Sequence, residues 1–167
     1  MTRARDVASQ GGLVLISSNT IGSAVSSVVV NNAFSATYDA YKIVIAGGVG
    51  SQNLILTLAL TGGTSSYSSN LMYTTYASTT FTAIVGSAAS SFAVAGGGSA
   101  NILQMNCDVI NPFLAKYTLF NAPYVGDEAA GNANAVHKSA TSFTGFTIGT
   151  SAGTLTGGTI YVYGYKK

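Results

Sequence analysis

The chain has 167 residues, 47% of them apolar and 7% charged, with a formal net charge of +2. That length suits one domain able to bury roughly 70% of its unfolded surface, so neither a disulfide nor a metal is needed to hold a core. The small, dispersed positive charge argues against a nucleic-acid footprint; the single cysteine excludes an internal disulfide, and no apolar run is long enough to cross a bilayer as a helix.

Typical soluble proteins carry about 25% charged residues. A chain this poor in charge must build its polar surface from Ser, Thr, Asn and Gly, which repels neighbours weakly. One reading is a secreted or viral β protein with a hydroxyl-rich exterior. The other, favoured here, is an exterior covered by further copies of the chain or by a larger assembly, because interface cores are depleted in charge.

Residues 1–12 differ from the rest. Arg3, Arg5 and Asp6 are three of the twelve charged residues, and Gly11-Gly12 separates them from the first apolar run. This arm reads either as a frayed terminus or as an anchor that orders against another surface. It lacks the apolar core of a secretory signal.

Residues 13–17 and 26–30 are short predicted strands, and Phe34 is expected to plug one end of the core. The pattern over residues 38–60 is the clearest in the chain. Tyr41, Ile43 and Ile45 alternate with Lys42, Val44 and Ala46; Leu54, Leu56, Leu58 and Leu60 alternate with Ile55, Thr57 and Ala59. Period-two alternation gives each run one apolar face, and the glycine-rich segment 47–52 predicts a hairpin joining them. A row of four leucines needs a second layer to cover it, which predicts a β-sandwich.

Residues 61–66 read as a loop. Residues 67–76 are aromatic and polar, and 81–85 form a candidate strand. Residues 87–99, ending near three glycines, predict either a surface excursion or a strand packed closely on another backbone. Residues 101–109 alternate, with Leu103, Met105, Cys107 and Val109 on the apolar face; Asn111-Pro112 stops the run. A partner strand is predicted over 113–121, with Phe113, Ala115, Tyr117 and Leu119 on its apolar side. Residues 123–134 read as a long loop, Val136 opens another strand with His137 and Lys138 exposed, and Phe143, Phe146 and Ile148 follow. In the last strand, 157–165, Ile160 and Val162 oppose Tyr161, Tyr163 and Tyr165. Eight to ten short strands with turn signals about every ten residues predict an all-β, antiparallel β-sandwich or jelly roll over 13–167, with residues 1–12 as a short arm.

The sequence offers no catalytic constellation, and the chain is not expected to be an enzyme. His137 has no motif around it, no nucleophile elbow is present, and Cys107 has no nearby histidine in sequence. Asp127 and Glu128 are adjacent and point apart in an extended segment, which is poor geometry for a paired-carboxylate glycosidase. No Cys/His cluster suggests zinc, and no cofactor motif appears, so no metal or cofactor is expected. Ten tyrosines and no tryptophan stand out. Tyr67, Tyr73 and Tyr76 form one group and Tyr161, Tyr163 and Tyr165 another. Tyrosine is enriched at interfaces, so the terminal row is assigned to packing or subunit contact, with sugar stacking as the other use.

Phe34, the run Tyr38-Asp39-Ala40-Tyr41-Lys42-Ile43-Val44-Ile45, the run Leu54-Ile55-Leu56-Thr57-Leu58, the ending Gly157-Gly158-Thr159-Ile160-Tyr161-Val162-Tyr163-Gly164-Tyr165 and the opening Arg3-Ala4-Arg5-Asp6 carry a resemblance. Together they resemble small β-sandwich virion structural proteins of tailed bacteriophages, particularly those infecting cyanobacteria and other aquatic hosts. The resemblance implies a capsid cement or decoration protein, a homotrimer on the outer surface of the head that bridges capsomers of the major capsid protein. Arg3, Arg5 and Asp6 would anchor it to the capsid, and Tyr161, Tyr163 and Tyr165 would line the oligomer interface. The alternative it implies is a tail-fibre knob that recognises host-surface glycan through loops such as 61–70 and 123–134. No nucleic acid and no membrane is expected as a partner.

Overall fold

The computed structural model describes residues 12–167, and these contain β-strands and no helix. The strands are β1 (Leu13–Thr20), β2 (Ser27–Val30), β3 (Ala40–Ala46), β4 (Val49–Gly50), β5 (Leu54–Leu60), β6 (Tyr67–Thr75) and β7 (Thr82–Ala89). They continue with β8 (Phe92–Gly98), β9 (Leu103–Ile110), β10 (Thr118–Val125), β11 (Ala129–His137), β12 (Phe146–Thr150), β13 (Leu155–Thr156) and β14 (Thr159–Tyr165). All pairings are antiparallel, as the all-β reading requires.

The main sheet folds into two layers that part at β9. One edge of β9 pairs with β3 along residues 105–110. Its other edge pairs with β10 at Asp108 to Ile110 and with β8 at Leu103 to Met105. One layer runs β1-β14-β3-β9-β10-β11-β6-β7, and the other β2-β12-β5-β8. The core lies between them. Tyr41, Ile43 and Ile45 face the leucine row of β5, and all seven are buried. Phe34 bridges the layers, with its ring 4.8 Å from Tyr41 and 5.6 Å from Phe146, as expected of a plug. Each fully buried large apolar side chain contributes roughly 1.5–3 kcal/mol.

The predicted hairpin between β3 and β5 does not form. Both strands exist with the predicted faces, but β3 pairs with β14 and β9, whereas β5 pairs with β12 and β8. The glycine segment is instead a corner where the chain changes layer. Gly47 and Gly48 have φ of 72° and 80°, and they lie against Gly157 and Gly158, at 69° and 85°. A Cβ on Gly48 would stand 2.3 Å from the Gly157 carbonyl oxygen, so two backbones can pass here because neither carries a side chain. Just beyond the corner, β4 pairs with β13.

Three further expectations change. Residues 123–134 are not a loop but the tightly paired hairpin of β10 and β11, turning at residues 126–128. Pro123 is tolerated because β10 leaves β9 after Asn121, so no ladder donor is missing on that side. In β10 the faces are exchanged: Thr118, Phe120 and Ala122 are buried, and Leu119 is 45% exposed. His137 is not exposed but 2% accessible. Of the two readings of residues 87–99, the close-packed strand holds: β8 is almost wholly buried, and a Cβ on Gly96 would stand 2.1 Å from the Gln104 carbonyl oxygen.

Candidate functional site

The outward face of the eight-stranded layer carries the terminal tyrosine row singled out above. Its central register row can be followed across every strand: Leu15, Tyr163, Lys42, Asp108, Asn121, Asn134, Asn70, Val85. Asn121 donates its amide to Asn134 Oδ1 at 2.8 Å. Lys42 Nζ lies 3.3 Å from Asp108 Oδ1, and the Tyr165 hydroxyl donates to the same oxygen at 2.5 Å. Around this polar centre the face exposes Ile110, Leu119 and Met72, and Val85 is 76% exposed. Between β11, β6 and β7 it sinks into a shallow depression of about 440 Å³, lined by Asn70, Val85, Asn134 and Val136 among others.

Tyr161, Tyr163 and Tyr165 all project from β14 on this side, opposite buried Ile160 and Val162. The rings of Tyr161 and Tyr163 stack at 6.3 Å with an interplanar angle of 28°. Loss of surrounding solvent, then the bond to Asp108, pushes the Tyr165 hydroxyl up to about 12. Arg3, Arg5 and Asp6 lie outside the described residues.

The other expected tyrosine group divides. Tyr67 is fully buried; its hydroxyl accepts the Leu60 N–H at 2.8 Å, and burial raises its pKa. Tyr73 and Tyr76 sit at the far end of β6, beside Tyr124 of β10. That neighbour was not singled out from sequence, because residues 123–134 read as a loop. Asn53, Tyr73, Thr75, Tyr124, Asp127 and Glu128 surround a pocket of about 220 Å³ at that end of the sandwich.

The carboxylates do not converge. Asp39 pairs with Lys167 at 2.9 Å, Asp108 with Lys42, and Asp127 accepts from Ser99 Oγ at 2.6 Å. Burial and the neighbouring Asp108 charge raise the pKa of Cys107, which is buried and so poorly suited to act as a nucleophile. His137 rests edge-on against Tyr67 at 4.4 Å and Phe143 at 5.0 Å, and its Nδ1 has no hydrogen-bond partner. Burial lowers its pKa against the opposing effect of the Ser65 and Ser139 backbone. Among the described residues no group of three or more His, Cys, Asp or Glu side chains could hold a metal ion. Compared with known protein families, curated proteins and solved structures, the chain matches none.

Proposed function

We propose that this chain is a virion structural protein, a capsid cement or decoration protein that acts as a homo-oligomer, most simply the trimer implied by its sequence resemblance. One observation carries the reading: the outward face of the eight-stranded layer exposes Leu15, Ile110, Leu119, Met72 and Val85 around a single Lys42–Asp108 ion pair. Exposed apolar side chains on a face with so little charge mark a candidate interaction surface. The edges point the same way. β1 and β7 each pair on one side, and neither contains a charged residue or a proline. Those are the usual devices that keep edge strands apart, although each edge carries a register shift, β1 between Leu15 and Ser17 and β7 opposite Tyr67 and Ser69. In this reading the sandwich stands on the shell, its outward faces pack together, and residues 1–12 of each copy dock to the capsid. Several linked arms add avidity without new kinds of contact.

Light scattering on the full chain tests the association. The expected mass is three times the 16.9 kDa of one chain. Replacing Leu119 and Val85 together by lysine puts like charges across the contact and is expected to give folded single chains whose melting temperature no longer depends on protein concentration. A wild-type protein that stays a single copy at high concentration would overturn the reading. On purified capsids, deletion of residues 1–12 is expected to lower occupancy; full occupancy without them removes the anchor.

A further inference from the structure

The pocket at the end of the sandwich has a composition of its own, and the self-association reading does not use it. Its shape follows from a missing side chain. A Cβ on Gly97 would stand 2.9 Å from Cε2 of Tyr124, so the Tyr124 ring lies directly over the bare backbone of β8. Burial, and then the nearness of Tyr73 and Tyr76, raises the pKa of Tyr124, which keeps its hydroxyl a neutral donor.

The β10–β11 turn beside it is held in place before any ligand arrives. The Tyr76 hydroxyl donates to the Gly126 carbonyl at 3.1 Å, the Tyr76 N–H donates to the Glu128 carbonyl at 3.0 Å, and the Gly126 N–H donates to the Ala129 carbonyl at 2.8 Å. Asp127 is fixed through Oδ2 by Ser99 Oγ at 2.6 Å and Asn101 Nδ2 at 3.4 Å. Its Oδ1 makes no bond among the described residues, so it can accept one from a ligand.

We propose that this pocket binds one pyranose ring of a carbohydrate. A sugar presents a C–H face and a rim of hydroxyls that both donate and accept. The pocket offers amphipathic tyrosine rings for the first. For the second it mixes acceptors, the carboxylates of Asp127 and Glu128, with donors, the amide of Asn53 and the hydroxyls of Thr75 and the tyrosines. A cation would use the rings and the carboxylates but leave the Asn53 amide and the Thr75 hydroxyl without a role. At about 220 Å³ the space lies below the roughly 300–1,000 Å³ of drug-sized sites, which fits a single ring.

The test is saturation-transfer NMR on the full-length protein with free hexoses and N-acetylhexosamines, alongside an array of immobilised oligosaccharides. At least one sugar is expected to respond. Tyr124→Ala and, independently, the exposed substitution Asn53→Ala should each weaken binding tenfold or more, while Tyr163→Ala on the outward face leaves it unchanged. A response on the array alone still supports the site and identifies its source as a longer glycan chain. Silence in both arms overturns the proposal. So does binding that survives both pocket substitutions in proteins shown to be folded by their melting temperatures, or a response to tetramethylammonium in place of any sugar. Light scattering of the same variants separates this outcome from the association reading: Asn53→Ala should leave the oligomer intact.

Discussion

The two ends of β6 place tyrosines six residues apart on the same inward face, yet give them different work. At one end Tyr67 is sealed. Its ring packs edge-on against Phe92 at 4.9 Å and against His137, and its hydroxyl holds the Leu60 N–H. At the other end Tyr73 is half-buried beside Tyr124, whose ring lies over Gly97 of β8. A tyrosine whose hydroxyl has an internal partner contributes to stability. One that lines a pocket at half burial keeps an edge free, and that edge can be used for recognition.

The strongest way to break this contrast is to remove bulk at each end. Phe92 is wholly buried, stacked at 4.8 Å on Phe120 and facing Tyr67. Phe92→Ala should cost about 3–5 kcal/mol through the cavity it leaves. Tyr73→Ala, at the half-buried end, should cost clearly less. Urea denaturation of both variants checks the ordering; equal losses would mean the open end is as structural as the sealed one. The next largest effect isolates the hydroxyl. Tyr67→Phe keeps the ring but leaves a buried backbone N–H at Leu60 without its partner, an expected loss of about 1–3 kcal/mol. The same change at Tyr124, whose hydroxyl has no such internal duty, should be close to neutral.

How much of this was legible in the sequence depends on whether the signal is local. The alternating faces of β3, β5, β9 and β14 follow from side-chain direction within one strand, and all of them hold. The pairing partner of a strand is not encoded in that alternation, so two good strands joined by glycines read as a hairpin when the glycines turn the chain into the other layer. In β10 the faces are ambiguous, because Leu119 and Val125, with Tyr117 just before the strand, are as apolar as Phe120, Ala122 and Tyr124. The buried set includes Thr118, whose Oγ1 has no partner, and no periodicity would have chosen it. The tyrosine pocket was invisible for the same reason: Tyr73 and Tyr124 meet only through the β6-β11-β10 order, which long-range packing sets.

His137 belongs to the sealed end and gives it a pH signature. Its pKa is lowered by burial, so the folded state holds the neutral ring and the unfolded chain takes up the proton more readily. That stability is fully present above the ordinary histidine value of about 6.5 and is lost as pH falls below it through the folded value. Wild type should therefore lose stability as pH falls below about 6.5, above most of the ordinary carboxylate range. His137→Leu should flatten that loss in parallel urea titrations. An unchanged slope would show that the imidazole is hydrated in the folded protein and that this end is not sealed.

The smallest effect comes from Tyr165, which has a partner but no cover. Its hydroxyl bonds Asp108 on the outward face, at 37% exposure, so Tyr165→Phe should cost no more than about 1 kcal/mol near neutral pH. The distinguishing readout is alkaline. The folded hydroxyl is pushed up to about 12, above the ordinary value of about 10, so the fold favours its protonated form. The resulting stability is complete below pH 10 and disappears as pH rises through 12. The difference between wild type and Tyr165→Phe should therefore shrink over that window in denaturant titrations. If the difference persisted beyond pH 12, the Asp108 bond would not be its source, and the exposed tyrosine would count as packing, closer in kind to Tyr67 than its position suggests.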